Sequence, residues 1–243
     1  MWNVVWVSFL SGMSTPLGGF FVTQFSSVTK KTLAFFLGLA AGIMITVILV
    51  DLMPASLRAP RGQELFVWGT MAGWVFLWAI RRVVARLDSS VVDPLQPNFR
   101  QMGIFIALAI GLHDLPEGLA IGAGHAVEAQ VGLILALAIA MHNVPEGMSV
   151  AMPLLMSGMR RRNIILLTVE LGLITPLGTL LALLLFHISQ IFITLSLAFA
   201  SGSMAFVVAR DIFPEALHAK ASLALLGIGS GVLIMMAVHA LHV

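Results

Sequence analysis

Long apolar runs separated by short polar or basic segments dominate the chain. A membrane-spanning helix needs about 20 apolar residues, and runs of that length lie at 2 to 25, 33 to 56, 65 to 86, 102 to 124, 130 to 157, 163 to 186, 191 to 216 and 222 to 241. The pattern predicts an all-α polytopic membrane protein with eight transmembrane helices. The first run, Trp2 to Phe25, is too long for a signal-peptide core and has no charged lead, so it reads as a span.

The runs repeat. Thr15-Pro16-Leu17-Gly18 in the first span recurs as Thr175-Pro176-Leu177-Gly178 in the sixth, an offset of 160 (175 minus 15). At that same offset Leu37, Ala40, Gly42, Met44, Val47, Asp51, Pro54 and Leu57 match Leu197, Ala200, Gly202, Met204, Val207, Asp211, Pro214 and Leu217 without a gap. Scattered Leu and Ala would match by chance in apolar helices, but this spacing of Gly, Met, Asp and Pro would not. Spans one and six are an odd number of crossings apart, so the copies point in opposite directions. One transmembrane domain, 1–243, is expected: repeat one at 1–86, a central helix pair at 102–157 and an inverted repeat two at 163–243. Inverted 3+2+3 repeats are a transporter architecture, with substrate held near the midplane.

Composition agrees with the apolar pattern: 59% of residues are hydrophobic and only 10% charged, against about 25% charged in soluble domains. The net charge of +2 is small, and its basic residues cluster at the ends of apolar runs, which argues for topology determinants and against a nucleic-acid partner. With both termini outside, the inner loops hold Lys30, Lys31, Arg81, Arg82, Arg86, Arg100, Arg160, Arg161, Arg162 and Lys220, and the outer loops only Arg58 and Arg61. That asymmetry predicts outside N- and C-termini.

The central pair carries the chemistry. GLHDLPEG at Gly111 to Gly118 is answered by AMHNVPEG at Ala140 to Gly147. His113 and Glu117 stand four apart, as do His142 and Glu146, so each pair shares one helical face. Pro116 and Pro145 remove a backbone donor and free the carbonyls of Leu112 and Met141, while Gly118 and Gly147 let a neighbouring helix approach closely. There is no cysteine, so a metal site must use His, carboxylates, amides or thioethers. Two imidazoles and two carboxylates suit zinc, ferrous iron, manganese, cobalt or cadmium better than calcium or magnesium. Asp114 and Asn143 follow each histidine by one residue and are expected to complete the shell or support it. Neutral imidazole binds metal, so mild acidification is expected to weaken binding.

These residues resemble the ZIP family (Zrt- and Irt-like proteins) of divalent metal transporters, particularly its bacterial members, over essentially all eight expected spans. The family's HNxPEG patterns read here His113 to Gly118 and His142 to Gly147, and its second-span AAGIM with a following acidic residue and Pro reads Ala40 to Met44, Asp51 and Pro54. The resemblance implies a metal site on spans four and five, extracellular termini in a bacterial inner membrane, movement of metal toward the cytoplasm, an elevator-like motion and a homodimer. It also implies Met44 as a soft ligand, for which packing is the competing role, since its repeat partner is Met204. Three departures stand out. Asp114 replaces the usual Asn. Thr175 stands where the family often has a bridging Glu, with Glu170, rotated by about 140° on a 3.6-residue helix, as an imperfect substitute. The loop Leu87 to Gln101 lacks the histidines of many eukaryotic members.

The resulting expectation is a transporter and not an enzyme, its divalent metal being cargo, not cofactor. Asp51 and Asp211, each three residues before a proline, are weaker candidates as stations on the transport pathway, with helix-end capping as the alternative. An intramembrane metallohydrolase is the rival, but it needs Glu immediately after the first His to face a metal-bound water, and Asp114 and Asn143 occupy those places.

Overall fold

The computed structural model describes residues 2–26, 28–87, 99–127, 129–184 and 190–242. All regular structure among them is helical. In chain order the helices are α1 (Trp2–Gly12), α2 (Ser14–Thr23), α3 (Lys30–Thr46), α4 (Met53–Leu57), α5 (Gly62–Leu87), α6 (Phe99–Val127), α7 (Ala129–Met156), α8 (Arg161–Gly172), α9 (Ile174–Leu184), α10 (Gln190–Val207) and α11 (Phe213–His242). A π-helical turn, Val47–Leu52, joins α3 to α4, and another, Val208–Ile212, joins α10 to α11. Each precedes a proline, Pro54 or Pro214, and a wider turn relieves the clash that proline makes with the preceding helical turn. The loop at 88–98 and His187 lie outside the described residues.

Among the described residues, six stretches are long and apolar enough to cross a membrane: Asn3–Thr23, Lys30–Leu57, Phe99–Ala126, Ala129–Met156, Arg161–Leu184 and Ile191–Ala240. The protein is a multi-pass membrane protein. Two differences from the expected eight have physical causes. Helix α5 is 26 residues long, but Glu64, Arg81 and Arg82 and three tryptophans dilute its hydropathy. The expected loop between the last two spans shrinks to a kink at Lys220, whose backbone is extended (φ −168°, ψ 102°), inside one long helical segment.

Capping and close backbone contact shape the ends and the interior. Thr29 accepts a hydrogen bond from the Thr32 N–H at 3.2 Å and starts α3. Gly158, at φ 80°, turns the chain between α7 and α8 in a conformation that costs other residues energy. Proline shapes the first and sixth expected spans. Pro16 and Pro176 clear the carbonyls four residues back, Gly12 and Gly172, and the helices break just after them, at Met13 and Leu173. Each of these glycines packs its Cα against the carbonyl of the other, with no room for a Cβ.

Helix α6 packs on α7 and α9, α2 on α7 and α8, α3 along α11, and α5 along α10. Gly38 and Gly42 bring α3 against Ala224 and Ile228 of α11, and Gly69 and Gly73 bring α5 against Ala198 and Phe199 of α10. Between these layers lies a core in which Leu37, Met44, Ile106, Ile110, Met152, Leu154, Met204 and Phe206 are buried. Large apolar side chains such as Trp68, Leu49, Leu226 and Leu233 remain exposed. Hydrocarbon, not water, is their natural surrounding.

Candidate metal site

The doubled motif lies inside α6 and α7, with Pro116 and Pro145 carried within continuous helices. What lets these helices meet their neighbours is the glycine after each Glu. Gly118 sits against the carbonyl of Thr175 on α9, and Gly147 against that of Thr15 on α2, and in both places a Cβ would overlap the carbonyl oxygen. The close approach expected of these glycines is present.

The two histidine–glutamate pairs meet crosswise. His113 Nε2 lies 3.2 Å from Glu146 Oε1, and His142 Nε2 lies 3.2 Å from Glu117 Oε2. Sequence spacing alone associates His113 with Glu117 and His142 with Glu146. Because α6 and α7 are packed neighbours joined almost without a loop, the start of one motif lies level with the end of the other. All four residues are 0–1% exposed.

Asp114 and Asn143 part company. Asp114 is fully buried, with Oδ1 3.7 Å from His113 Nε2, and neither carboxylate oxygen has a hydrogen-bond partner among the described residues. His113, Asp114 and Glu146 offer ligand atoms all within 4.8 Å of one another. Asn143 instead donates through Nδ2 to the Ser11 carbonyl of α1 at 3.3 Å, while its Oδ1 is buried without a partner among the described residues. The Nδ1 atoms of His113 and His142, one oxygen each of Glu117 and Glu146, and the hydroxyls of Ser11, Thr15 and Thr175 are likewise buried and unpaired. Such a concentration of unsatisfied polar atoms is costly, and three buried carboxylates repel one another unless a cation lies among them.

A cavity of about 510 Å³ reaches this cluster from one end of the molecule. Glu117 and His142 form part of its lining, its walls mix small residues such as Ala120, Ala123 and Gly124 with larger apolar ones such as Leu52 and Leu135, and Asp51 stands on the wall contributed by the first π-turn. It is bounded by the C-terminal half of α6 and the N-terminal half of α7.

The remaining candidates fall elsewhere. Met44 and Met204 are both fully buried in the apolar core. Glu170 is exposed on α8 and is not brought to the buried cluster. The rotation that separates it from Thr175 turns it away. Asp211 is buried and paired with Arg81, whose Nη1 lies 2.6 Å from its Oδ1, and it does not line the cavity.

Two partners escaped the sequence reading. Arg81 reads as a topology determinant, yet it clasps Asp211 and stacks over Phe105, 5.5 Å from the ring centre. His239 reads as a residue of the outer C-terminal end, yet its Nε2 lies 2.7 Å from Asp51 Oδ1. A signal was present: Gly69, Gly73 and Arg81 recur as Gly227, Gly231 and His239 at an offset of 158 (227 minus 69).

The family model described as ZIP Zinc transporter matches residues 88–239, and the chain belongs to that family. It is 32% identical to the zinc transporter ZupT of Chlorobium luteolum, with 94% of each chain covered. It is 34% identical to that of Chlorobium limicola, with 86% of each covered, and 30% identical to that of Corynebacterium glutamicum, with 94% of this chain and 95% of the relative covered. The family is one of transporters, not enzymes, and the hydrolase rival finds no support in it.

Proposed function

We propose that this protein takes up divalent transition-metal ions, zinc foremost, into the cytoplasm through a site made by His113, Glu117, His142 and Glu146, with Asp114 as a further ligand. The observation that carries this reading is the crosswise, buried His–Glu cluster, two of whose members, Glu117 and His142, line a cavity open at one end. Imidazole and carboxylate together suit zinc, iron, manganese, cobalt and cadmium, and the name shared by its relatives puts zinc first. Asn143 acts from behind, tying α7 to α1. Met44, Glu170 and Asp211 are left out of the ligand set, and Asp51 is kept as a station on the way in.

The finer architecture belongs to the same proposal. The eight crossings are α1–α2, α3–α4, α5, α6, α7, α8–α9, α10 to the kink at Lys220, and the rest of α11, arranged as an inverted 3+2+3 repeat. Matching features support this: the π-turns at Val47–Leu52 and Val208–Ile212, the mutual contact of Gly12 with Gly172, and the paired contacts of Gly118 with Thr175 and Gly147 with Thr15. The excess of Lys and Arg at the opposite end supports an outside cavity mouth, with both termini on that same side. A bacterial inner membrane and a homodimer complete the reading.

The test is zinc uptake into proteoliposomes. His142→Ala is expected to abolish saturable uptake, and unchanged uptake would remove that residue from the site. The same assay with manganese, iron, cobalt and cadmium ranks the cargo.

A further inference from the structure

Asp51 and Asp211 occupy matching places, each in a π-turn and each three residues before a proline. Each faces a basic side chain from a neighbouring helix, but the partners differ. Arg81 gives Asp211 a permanent cation at 2.6 Å, with the carboxylate only 6% exposed. Asp51 faces His239 at 2.7 Å, and these side chains are 30% and 26% exposed. Asp51 lines the cavity that reaches Glu117 and His142.

The orientation of His239 is informative. Its Nδ1 lies 3.1 Å from the Met235 carbonyl one turn back. A carbonyl only accepts, so Nδ1 carries the hydrogen and donates. In neutral imidazole the lone pair is then on Nε2, aimed at the Asp51 carboxylate. Two electron-rich atoms at 2.7 Å attract only with a cation between them, either a proton or a metal ion. A histidine whose second nitrogen is held by a backbone carbonyl is the usual arrangement of a metal ligand. Zinc–nitrogen and zinc–oxygen bonds of about 2.0–2.2 Å at a tetrahedral angle need the two atoms about 3.4 Å apart, so the pair must open by roughly 0.7 Å, within reach of small side-chain rotations.

We infer that Asp51 and His239 form a second metal site, a capture site for divalent transition metal at the cavity wall, with water completing the shell. It rests on the transport reading above and adds a ligand which that reading lacks. With only two protein ligands the site holds metal weakly and passes it on to Glu117 and His142. The matching position at the other end is unsuited to this, because the Arg81 guanidinium does not give up its proton and holds a permanent positive charge against one oxygen of the Asp211 carboxylate. Metal is therefore gathered at one end of the molecule only.

Zinc uptake kinetics in proteoliposomes test this with His239→Gln, whose side-chain amide still donates to Asp51 but is a poor zinc ligand. Loss of the ligand is expected to raise KM about tenfold, the low end of the range for losing support at a metal site, with the maximal rate within about twofold of wild type. Asp51→Asn is expected to do the same. In purified protein carrying Glu117→Gln and His142→Ala, cobalt titrated by its visible absorption is expected to show, beside any binding at His113, Asp114 and Glu146, a separate weak site, and that site alone is lost on adding His239→Gln. An unchanged KM in His239→Gln, or a cobalt signal indifferent to it, would show a hydrogen-bonded clasp and overturn the capture site. The parent reading fails separately, through unchanged uptake in His142→Ala.

Discussion

The two aspartates that close the π-turns sit in nearly the same backbone setting and are handled in opposite ways. Asp211 is buried and bound to a guanidinium at 2.6 Å that itself rests on Phe105. Asp51 is half-open to a cavity and bound to an imidazole at 2.7 Å. A guanidinium neutralises its partner permanently, whereas an imidazole does so only with a borrowed proton or metal. Glycines and prolines therefore preserve the frame at both ends, and one side chain at each decides whether the carboxylate is sealed or offered.

The largest effect is expected where the frame is shared. Gly147→Leu forces a branched side chain onto the Thr15 carbonyl, and Gly118→Leu does so onto that of Thr175. Overpacking of this kind costs about 1–3 kcal/mol or more, and at a backbone contact we expect the upper end or failure to fold, measured by monodispersity in detergent. Normal yield and melting for either variant would mean the helices have slack that these contacts deny. Gly158→Leu is the control, because nothing lies within 4 Å of that Cβ position and only the positive φ of 80° resists it.

That frame was legible in the sequence to a large extent. Span-length apolar runs, the TPLG pair and the doubled HxxPEG are spaced by covalent chemistry that a linear reading can follow. The crosswise pairing of His113 with Glu146 was not, because it depends on how α6 and α7 face each other. Nor were the clasps, since Arg81 and His239 share a position but no chemistry, and a repeat carried only by Gly69, Gly73, Gly227 and Gly231 is faint in an apolar background. The exposure of Glu170 follows from helix phase, since a rotation of about 140° separates it from Thr175 on a 3.6-residue helix.

Next in size is the sealed end. Arg81→Ala strands the Asp211 carboxylate in a buried position, and breaking a buried pair costs about 3–5 kcal/mol. The lower figure is expected, because the Arg81 side chain is 42% exposed. Thermal unfolding in detergent should show the drop, and Asp211→Asn added to Arg81→Ala should recover part of it. No recovery would locate the Arg81 contribution in its packing on Phe105 instead.

At the centre, Asp114 and Asn143 offer a related contrast on a finer scale, one carboxylate with neither oxygen paired and one amide whose nitrogen is tied to Ser11 while its oxygen stays unpaired. Asp114→Asn removes a negative charge from the cluster and is expected to change the ratio of zinc to manganese uptake by several-fold, on the order of 1 kcal/mol of discrimination for one hard oxygen ligand. Asn143→Asp should leave the ratio nearly unchanged and lower stability, since it loses the donor to the Ser11 carbonyl. Equal shifts in both variants would place the two residues in equivalent roles and erase the asymmetry between the motifs.

The smallest effect should be at the offered end. His239→Ala removes a partner that is itself partly exposed, and ion pairs of that kind contribute about 0–1 kcal/mol. Its melting temperature without metal should therefore lie close to wild type, well above that of Arg81→Ala. Added zinc separates the chains further. Ligand that binds only the folded state raises stability in proportion to the logarithm of its concentration over Kd, so wild type should gain slightly more than His239→Ala as zinc is raised beyond saturation of the central site. A drop in His239→Ala as deep as in Arg81→Ala would mean that both ends are sealed and that the cavity wall at Asp51 is a structural joint.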